Sequence, residues 1–216
     1  MIDPIARQQQ TWSSTFEARS DFLGSGPSAP GRAALARFEA TGVAELLELG
    51  PGQGRDTLLF ATAGIRVIAL DFAEPGLAQI TAKAEAAGVG TAVRTLVGDA
   101  RERLPLPDRS VDAAYAHMLL CMALTTADIE RLVAEVRRVL RPGGLFVYTV
   151  RTIADAHFGA GVDHGDDRWE TGGFIVHFFD RALIDRLAGG FEIIEVDQFE
   201  EGRLPRRLAA VTMRSP

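Results

Sequence analysis

The 216-residue sequence predicts an α/β fold in one domain, a mostly parallel sheet with helices on both faces. Two observations carry this. Short apolar runs alternate with helix-length segments over most of the chain, the pattern of strands buried beneath crossover helices. The last third instead ends in two strand-like runs with a connection too short for a helix, so these pair as an antiparallel hairpin.

The predicted strands are 44–49, 66–71, 93–97, 111–117 and 145–150, apolar on both faces and mostly bounded by Gly, Pro or Asp. Helices are predicted over 55–63, 74–87 and 127–140. The last repeats Ile129, Leu132, Val133, Val136, Val139 and Leu140 at helical spacing before Arg141-Pro142-Gly143-Gly144 stops it. Residues 180–188 form a further helix, and 191–199 and 208–214 form the hairpin. Residues 1–40, with Trp12, Phe16, Phe22 and Leu23 ahead of the turn Gly24–Pro30, form a two-helix cover. Residues 151–179 form an insertion on the substrate side, beginning as a glycine-rich loop.

A net charge of −6 argues against a nucleic-acid surface. No apolar run reaches the ~20 residues of a membrane span, and the start has neither the basic nor the apolar region of a secretory signal. The single cysteine, Cys121, fits a reducing cytoplasm. The expected location is therefore cytoplasmic and the state a monomer or homodimer.

The segment Glu48-Leu49-Gly50-Pro51-Gly52-Gln53-Gly54-Arg55-Asp56 closes the first strand and opens a helix. Its glycines permit a tight turn and let a ligand lie against bare backbone. Arg55 stands where a dinucleotide fingerprint needs its third Gly, and Glu48 would repel a pyrophosphate, so NAD and FAD are disfavoured and a cationic ligand is favoured. Asp71 ends the second strand, where an acid suits the two hydroxyls of a ribose, with Phe72 beside it. Asp99, followed by Ala100, comes after the third strand, where a carboxylate suits an adenine amino group. The three acids converge on one crevice at the strand ends.

These turns, with Val139–Leu145 (V-L-R-P-G-G-L), resemble class I S-adenosylmethionine-dependent methyltransferases in order and spacing across residues 43–150. The resemblance implies a Rossmann-like seven-stranded sheet of order 3-2-1-4-5-7-6 with strand 7 antiparallel. It also implies S-adenosylmethionine as methyl donor and S-adenosylhomocysteine as product. Gly50, Gly52 and Gly54 would line the methionine portion within the segment Glu48–Gly54, Asp71 would hold the ribose, and Asp99 with Ala100 would face adenine. Pro51 departs from the usual small or polar residue and should stiffen the turn.

Methyl transfer is an in-line displacement that chiefly needs positioning and exclusion of water. His117, at the end of the fourth strand, is the candidate cofactor contact or base. Trp12, Phe16, Tyr115, Arg151, His157, His164 and Arg168 are the candidate acceptor contacts. His157, His164 and the neighbouring acids lack a metal-ligand spacing, so no metal is expected. Among such enzymes the looser likeness is to small-molecule members such as tellurite-resistance, thiol and halide methyltransferases. The alternatives are a peptide or protein N-methyltransferase, or a cofactor-binding module without turnover.

Overall fold

The computed structural model describes residues 4–24, 26–202 and 206–216. Two helices, α1 (Pro4–Ala18) and α2 (Ala29–Thr41), precede the alternating unit β1 (Glu45–Leu49), α3 (Arg55–Thr62), β2 (Arg66–Asp71), α4 (Glu74–Ala86) and β3 (Val93–Val97). Next come β4 (Val111–His117), α5 (Thr126–Val139) and β5 (Leu140–Arg151), then three short strands, β6 (Val162–Asp163), β7 (Arg168–Thr171) and β8 (Phe174–His177). Helix α6 (Arg181–Leu187) leads into the closing hairpin of β9 (Glu192–Glu201) and β10 (Arg206–Arg214).

The main sheet has the order β3-β2-β1-β4-β5-β10-β9. Counted over its own seven strands this is 3-2-1-4-5-7-6, and β10 runs antiparallel to both neighbours. Side chains alternate across the pleat into two cores. Leu46, Val67, Ala69 and Tyr115 meet Phe38 of α2, Phe60 of α3 and Ile80 of α4. Leu47, Leu49, Phe146 and Tyr148 meet Ile129, Leu132 and Val136 of α5 and Leu183 and Ile184 of α6. Helix α5 starts at a reciprocal cap, Thr125 accepting from the Asp128 N–H while the Asp128 carboxylate takes the Thr125 N–H.

Three local readings change. Helix α5 ends at Val139 and the Arg-Pro-Gly-Gly segment lies within β5, because Gly143 and Gly144 exchange backbone bonds with Ser215 and continue the ladder. Strand β3 is partly exposed as a sheet edge rather than apolar on both faces, with Val97 61% exposed. The glycine-rich stretch is a run of turns only over residues 153–161; from Val162 onward β6, β7 and β8 make a second, antiparallel sheet. Gly161, at φ 90°, is required there because a Cβ would strike the Glu170 carbonyl oxygen. Among the described residues no helix is long and apolar enough to cross a membrane.

Phe60 is fully buried between Phe38 and Tyr115, with ring centroids 5.7 and 5.1 Å away. Phe60→Ala is expected to lower unfolding free energy by ~3–5 kcal/mol in urea titration, the scale for a buried aromatic leaving a cavity.

Candidate functional site

The carboxyl ends of β1, β2 and β4, together with the loop after β3, open into a cavity of about 430 Å³, within the range of small-molecule sites. Its floor is the first glycine turn. Gly50 (φ 64°) and Gly52 (φ 58°) are left-handed, and a Cβ on Gly52 would lie 2.5 Å from Leu23 Cδ1. The turn is therefore bare by necessity, and Pro51 completes it on the cavity wall. Gly54 instead caps α3, packed on Ile80, and Gln53 faces away. The Gln53 amide donates to the Arg19 carbonyl and to Gln79 Oε1, and its oxygen accepts from the Leu23 N–H. These two have scaffold contacts and lie off the wall.

Glu48 lies 3% exposed at the end of β1, and Thr57 Oγ1 donates to it across 2.6 Å. Burial pushes its carboxyl from 4.5 up to about 8, against the Thr57 bond and helped by Asp56 and Asp71. Asp71 accepts N–H bonds from Gly52 (3.2 Å) and Ala73 (2.9 Å), which partly offset the burial that raises it to about 6. Asp71 thus shapes the glycine turn while lining the cavity beside Phe72. Asp99, next to Ala100, is held by Arg101 and by Gln9 of α1 across 2.9 Å. Despite the opposing effect of burial, these bonds keep its carboxyl below its ordinary value. A cavity that presents bare backbone, the buried carboxyls of Glu48 and Asp71 and the ion-paired Asp99 fits a sulfonium-bearing amino acid joined to a nucleoside.

His117 lines the cavity between two partners. Its Nε2 lies 2.9 Å from Arg55 Nη2 and its Nδ1 2.7 Å from Thr149 Oγ1. Arginine only donates, so Nε2 accepts and the ring proton sits on Nδ1. Burial lowers the pKa of His117, Arg55 adding to the effect and Asp56 opposing it, so the ring is neutral. Tyr115 is not on the cavity wall. It shares a face with His117, the two rings stacked at 6.4 Å, but lies one pleat deeper and fully buried, where its hydroxyl donates to Asp56 Oδ2 across 3.1 Å.

The roof joins the N-terminal helix to the insertion. Gln8 is buried and uses both ends of its amide on Ile175 of β8, donating to the carbonyl (3.2 Å) and accepting from the N–H (2.6 Å). Trp12 packs on Phe16 and Phe174, with ring centroids 5.4 and 5.0 Å apart, and Arg7 pairs with Glu170 at 3.2 Å. His164 also bonds Glu170, 2.8 Å away, and Arg168 donates to the His164 and Gly165 carbonyls, so both hold the small sheet together off the cavity. Arg151 and His157 do line the cavity: Arg151 pairs with Asp155 and donates to His157 Nδ1 across 2.7 Å. No group of three metal-ligating side chains occurs among the described residues. Cys121 is buried, its thiol pushed up to about 11.

Sequence reasoning missed Gln8, Gln9, Phe174, Phe178, Glu201 and Arg206 on the wall, and used Arg55 only to argue against dinucleotides. The spacing Gln8, Trp12, Phe16 marks one face of α1 and was a readable signal. The residues from β8, β9 and β10 reach the site by long-range folding and had no local signature.

Residues 47–148 match the family model described as a methyltransferase domain. Malonyl-[acyl-carrier protein] O-methyltransferase of Serratia marcescens is 32% identical over 127 residues, 59% of this chain and 41% of that protein. Demethylmenaquinone methyltransferase of Thermus thermophilus is 38% identical over 104 residues, 47% of this chain and 44% of that protein. The chain thus spans roughly two fifths of the length of the curated relatives it matches. The crystal structure of Burkholderia thailandensis 1,6-didemethyltoxoflavin-N1-methyltransferase, solved with 1,6-didemethyltoxoflavin and S-adenosylhomocysteine, superposes with a TM-score of 0.77 at 21% identity. That match covers all of this chain and 91% of the other. Residues 47–148, just under half of the chain, thus match a methyltransferase domain, and the fold across the whole chain is the Rossmann-like one of that methyltransferase structure.

Glu48 binds a proton in the unliganded fold up to about pH 8 but releases it near 4.5 when unfolded. The native state then holds more protons than the unfolded state, so Glu48 makes stability fall as pH rises between those values. Melting of Glu48→Gln, followed by circular dichroism, should lose that part of the decline, a difference on the order of 1–3 kcal/mol at pH 8. For the roof, Gln8→Ala strands two buried Ile175 backbone groups. Hydrogen exchange should speed up in α1 and β8 while β1 and β4 stay protected.

Proposed function

We propose that this chain transfers the methyl group of S-adenosylmethionine to a small-molecule acceptor held under the aromatic roof. The observation that carries the proposal is the cavity in which the acid-bearing ends of β1 and β2 and the acidic loop after β3 share a wall with Trp12, Phe174 and Phe178. Glu48, Gly50, Pro51 and Gly52 are the residues for the methionine portion, Asp71 and Phe72 for the ribose, and Asp99 with Ala100 for the adenine. The bound cofactor supplies an electrophilic methyl on a sulfonium. The chain's residues exclude water and hold the acceptor near that methyl.

The relatives support a small acceptor: their names specify a carrier-bound malonyl group, a demethylmenaquinone and a toxoflavin precursor. The contacts from Gln8 and Trp12 to β8 span the site and suit an acceptor small enough to be enclosed, in preference to a peptide end. The cover 1–40 and the insertion 151–179 act with the sheet as one unit, in the cytoplasm, on small molecules and not on nucleic acid. An acidic net charge and a lone buried thiol support that reading.

Calorimetric titration with S-adenosylmethionine should show binding by the wild type and a roughly 10–100-fold loss in Asp71→Ala, the range for removing hydrogen bonds to a charged acceptor. Release of S-adenosylhomocysteine across an acceptor panel separates an enzyme from a binding module. Binding without release from any acceptor would favour the module.

A further inference from the structure

We infer that the acceptor is a flat, conjugated acid that enters as its anion, seated against Arg55, and that no side chain of this protein removes its proton. The inference rests on the methyl-transfer reading and specifies what that site accepts.

The first support is that both histidines on the wall, and the carboxyls of Glu48, Asp56, Asp71 and Asp99, already hold hydrogen bonds. His117 Nε2 takes the Arg55 N–H and its Nδ1 carries the ring proton toward Thr149. His157 Nδ1 takes the Arg151 N–H, which leaves its other nitrogen protonated and able only to donate. Each histidine is therefore fixed by an arginine as a neutral donor. The carboxyls are no freer. Glu48 receives Thr57, Asp71 two backbone N–H groups, Asp99 Arg101 with Gln9, and Asp56 receives Ser28 with Tyr115.

The second support is Arg55 itself. It lines the cavity at the start of α3, donating to the Leu23 carbonyl (3.0 Å) and to His117, both uncharged partners. No ion pair engages it among the described residues, so its charge remains available to an anion. Arg151, in contrast, is matched by Asp155. The third support is shape. Trp12, Trp169 and Phe174 present ring surfaces, with Met118 and Met122 as adaptable fill, which suits a planar ligand.

The chemistry then balances without a protein base. The acceptor loses its proton to solvent before entry. Its lone pair forms the bond to the methyl carbon as the carbon–sulfur bond breaks and that pair returns to sulfur, so anion and sulfonium charges vanish together. An amine acceptor would instead be left cationic beside Arg55, with no base to take its proton.

The test uses the full chain with 4-nitrophenol and its neutral isostere 4-nitroaniline, with and without S-adenosylhomocysteine, by equilibrium dialysis and calorimetry. Above the phenol's own pKa, nitrophenolate should bind roughly tenfold tighter than the aniline, the difference between a charge-assisted and a neutral hydrogen bond. Its affinity should fall with the phenol's ionisation as pH drops. Binding enthalpy above that pKa should not vary between buffers of different ionisation heat, since no proton moves. Arg55→Gln should abolish the preference and Arg55→Lys retain part of it. Equal binding of the aniline, proton uptake by the protein, an unchanged preference in a folded Arg55→Gln, or no nitrophenolate binding at millimolar concentration overturns the inference. The wild-type comparison and the proton count need no variant. Failure to bind S-adenosylhomocysteine would instead overturn the methyl-transfer reading, so the two failures are distinguishable.

Discussion

The desolvation of Glu48 is the constraint on which the rest of the site depends. A carboxyl at the end of a buried strand is costly to ionise, and Glu48, with Thr57 as its hydrogen-bond partner and Asp56 and Asp71 nearby, is held protonated up to about pH 8. Beneath the roof, the strand ends lie in a poorly hydrated setting where a cation brought beside Glu48 would favour release of its proton, and where hydrogen bonds at the cavity wall are strengthened. A sulfonium donor is the kind of ligand that such a place rewards. The same closure serves the reaction, because water competes with the acceptor for position.

The roof is held by ring contacts, an ion pair and one side chain that bonds backbone. Gln8 behaves as an extra residue of the small sheet, offering an amide to the edge of β8 where another strand would stand. The contact satisfies two groups that burial would otherwise leave orphaned, and it ties the order of α1 to the order of the insertion. The insertion is itself anchored to the main domain. Asp166 takes the N–H and hydroxyl of Thr126 at the start of α5, and His177 bonds the Leu124 carbonyl across 2.8 Å. The cover is thus continuous from α1 through β8 to the strand-four loop that carries Met118 and Met122.

Arginine dominates the cations of this chain, 22 against the single Lys83, and the cavity shows a consequence. A guanidinium can occupy a histidine nitrogen and still present other N–H groups to a ligand, which an ammonium does less directionally. His117 and His157 are therefore positioned neutral donors, although histidine at such places in the sequence reads first as a base.

The sequence by itself determined the sheet, its order and the acid-bearing turns. Strand burial, helical spacing and the glycine turn are local properties, legible from neighbours along the chain, and the family likeness supplied the strand order. Gly50, Asp71 and Asp99 were readable for that reason. Tyr115 was misplaced because it shares a face with His117 but lies two residues short of the strand end, buried in the core, and the sequence does not say how far down a strand the cavity reaches. His164 and Arg168 were read as acceptor contacts, but polar residues in a glycine-rich stretch look alike whether they meet a ligand or one another. Only the tertiary structure decided that the insertion folds as a sheet, that Gln8 locks α1 to it and that arginines cap both histidines. Each of these depends on bonds between groups distant in sequence, which no local pattern records.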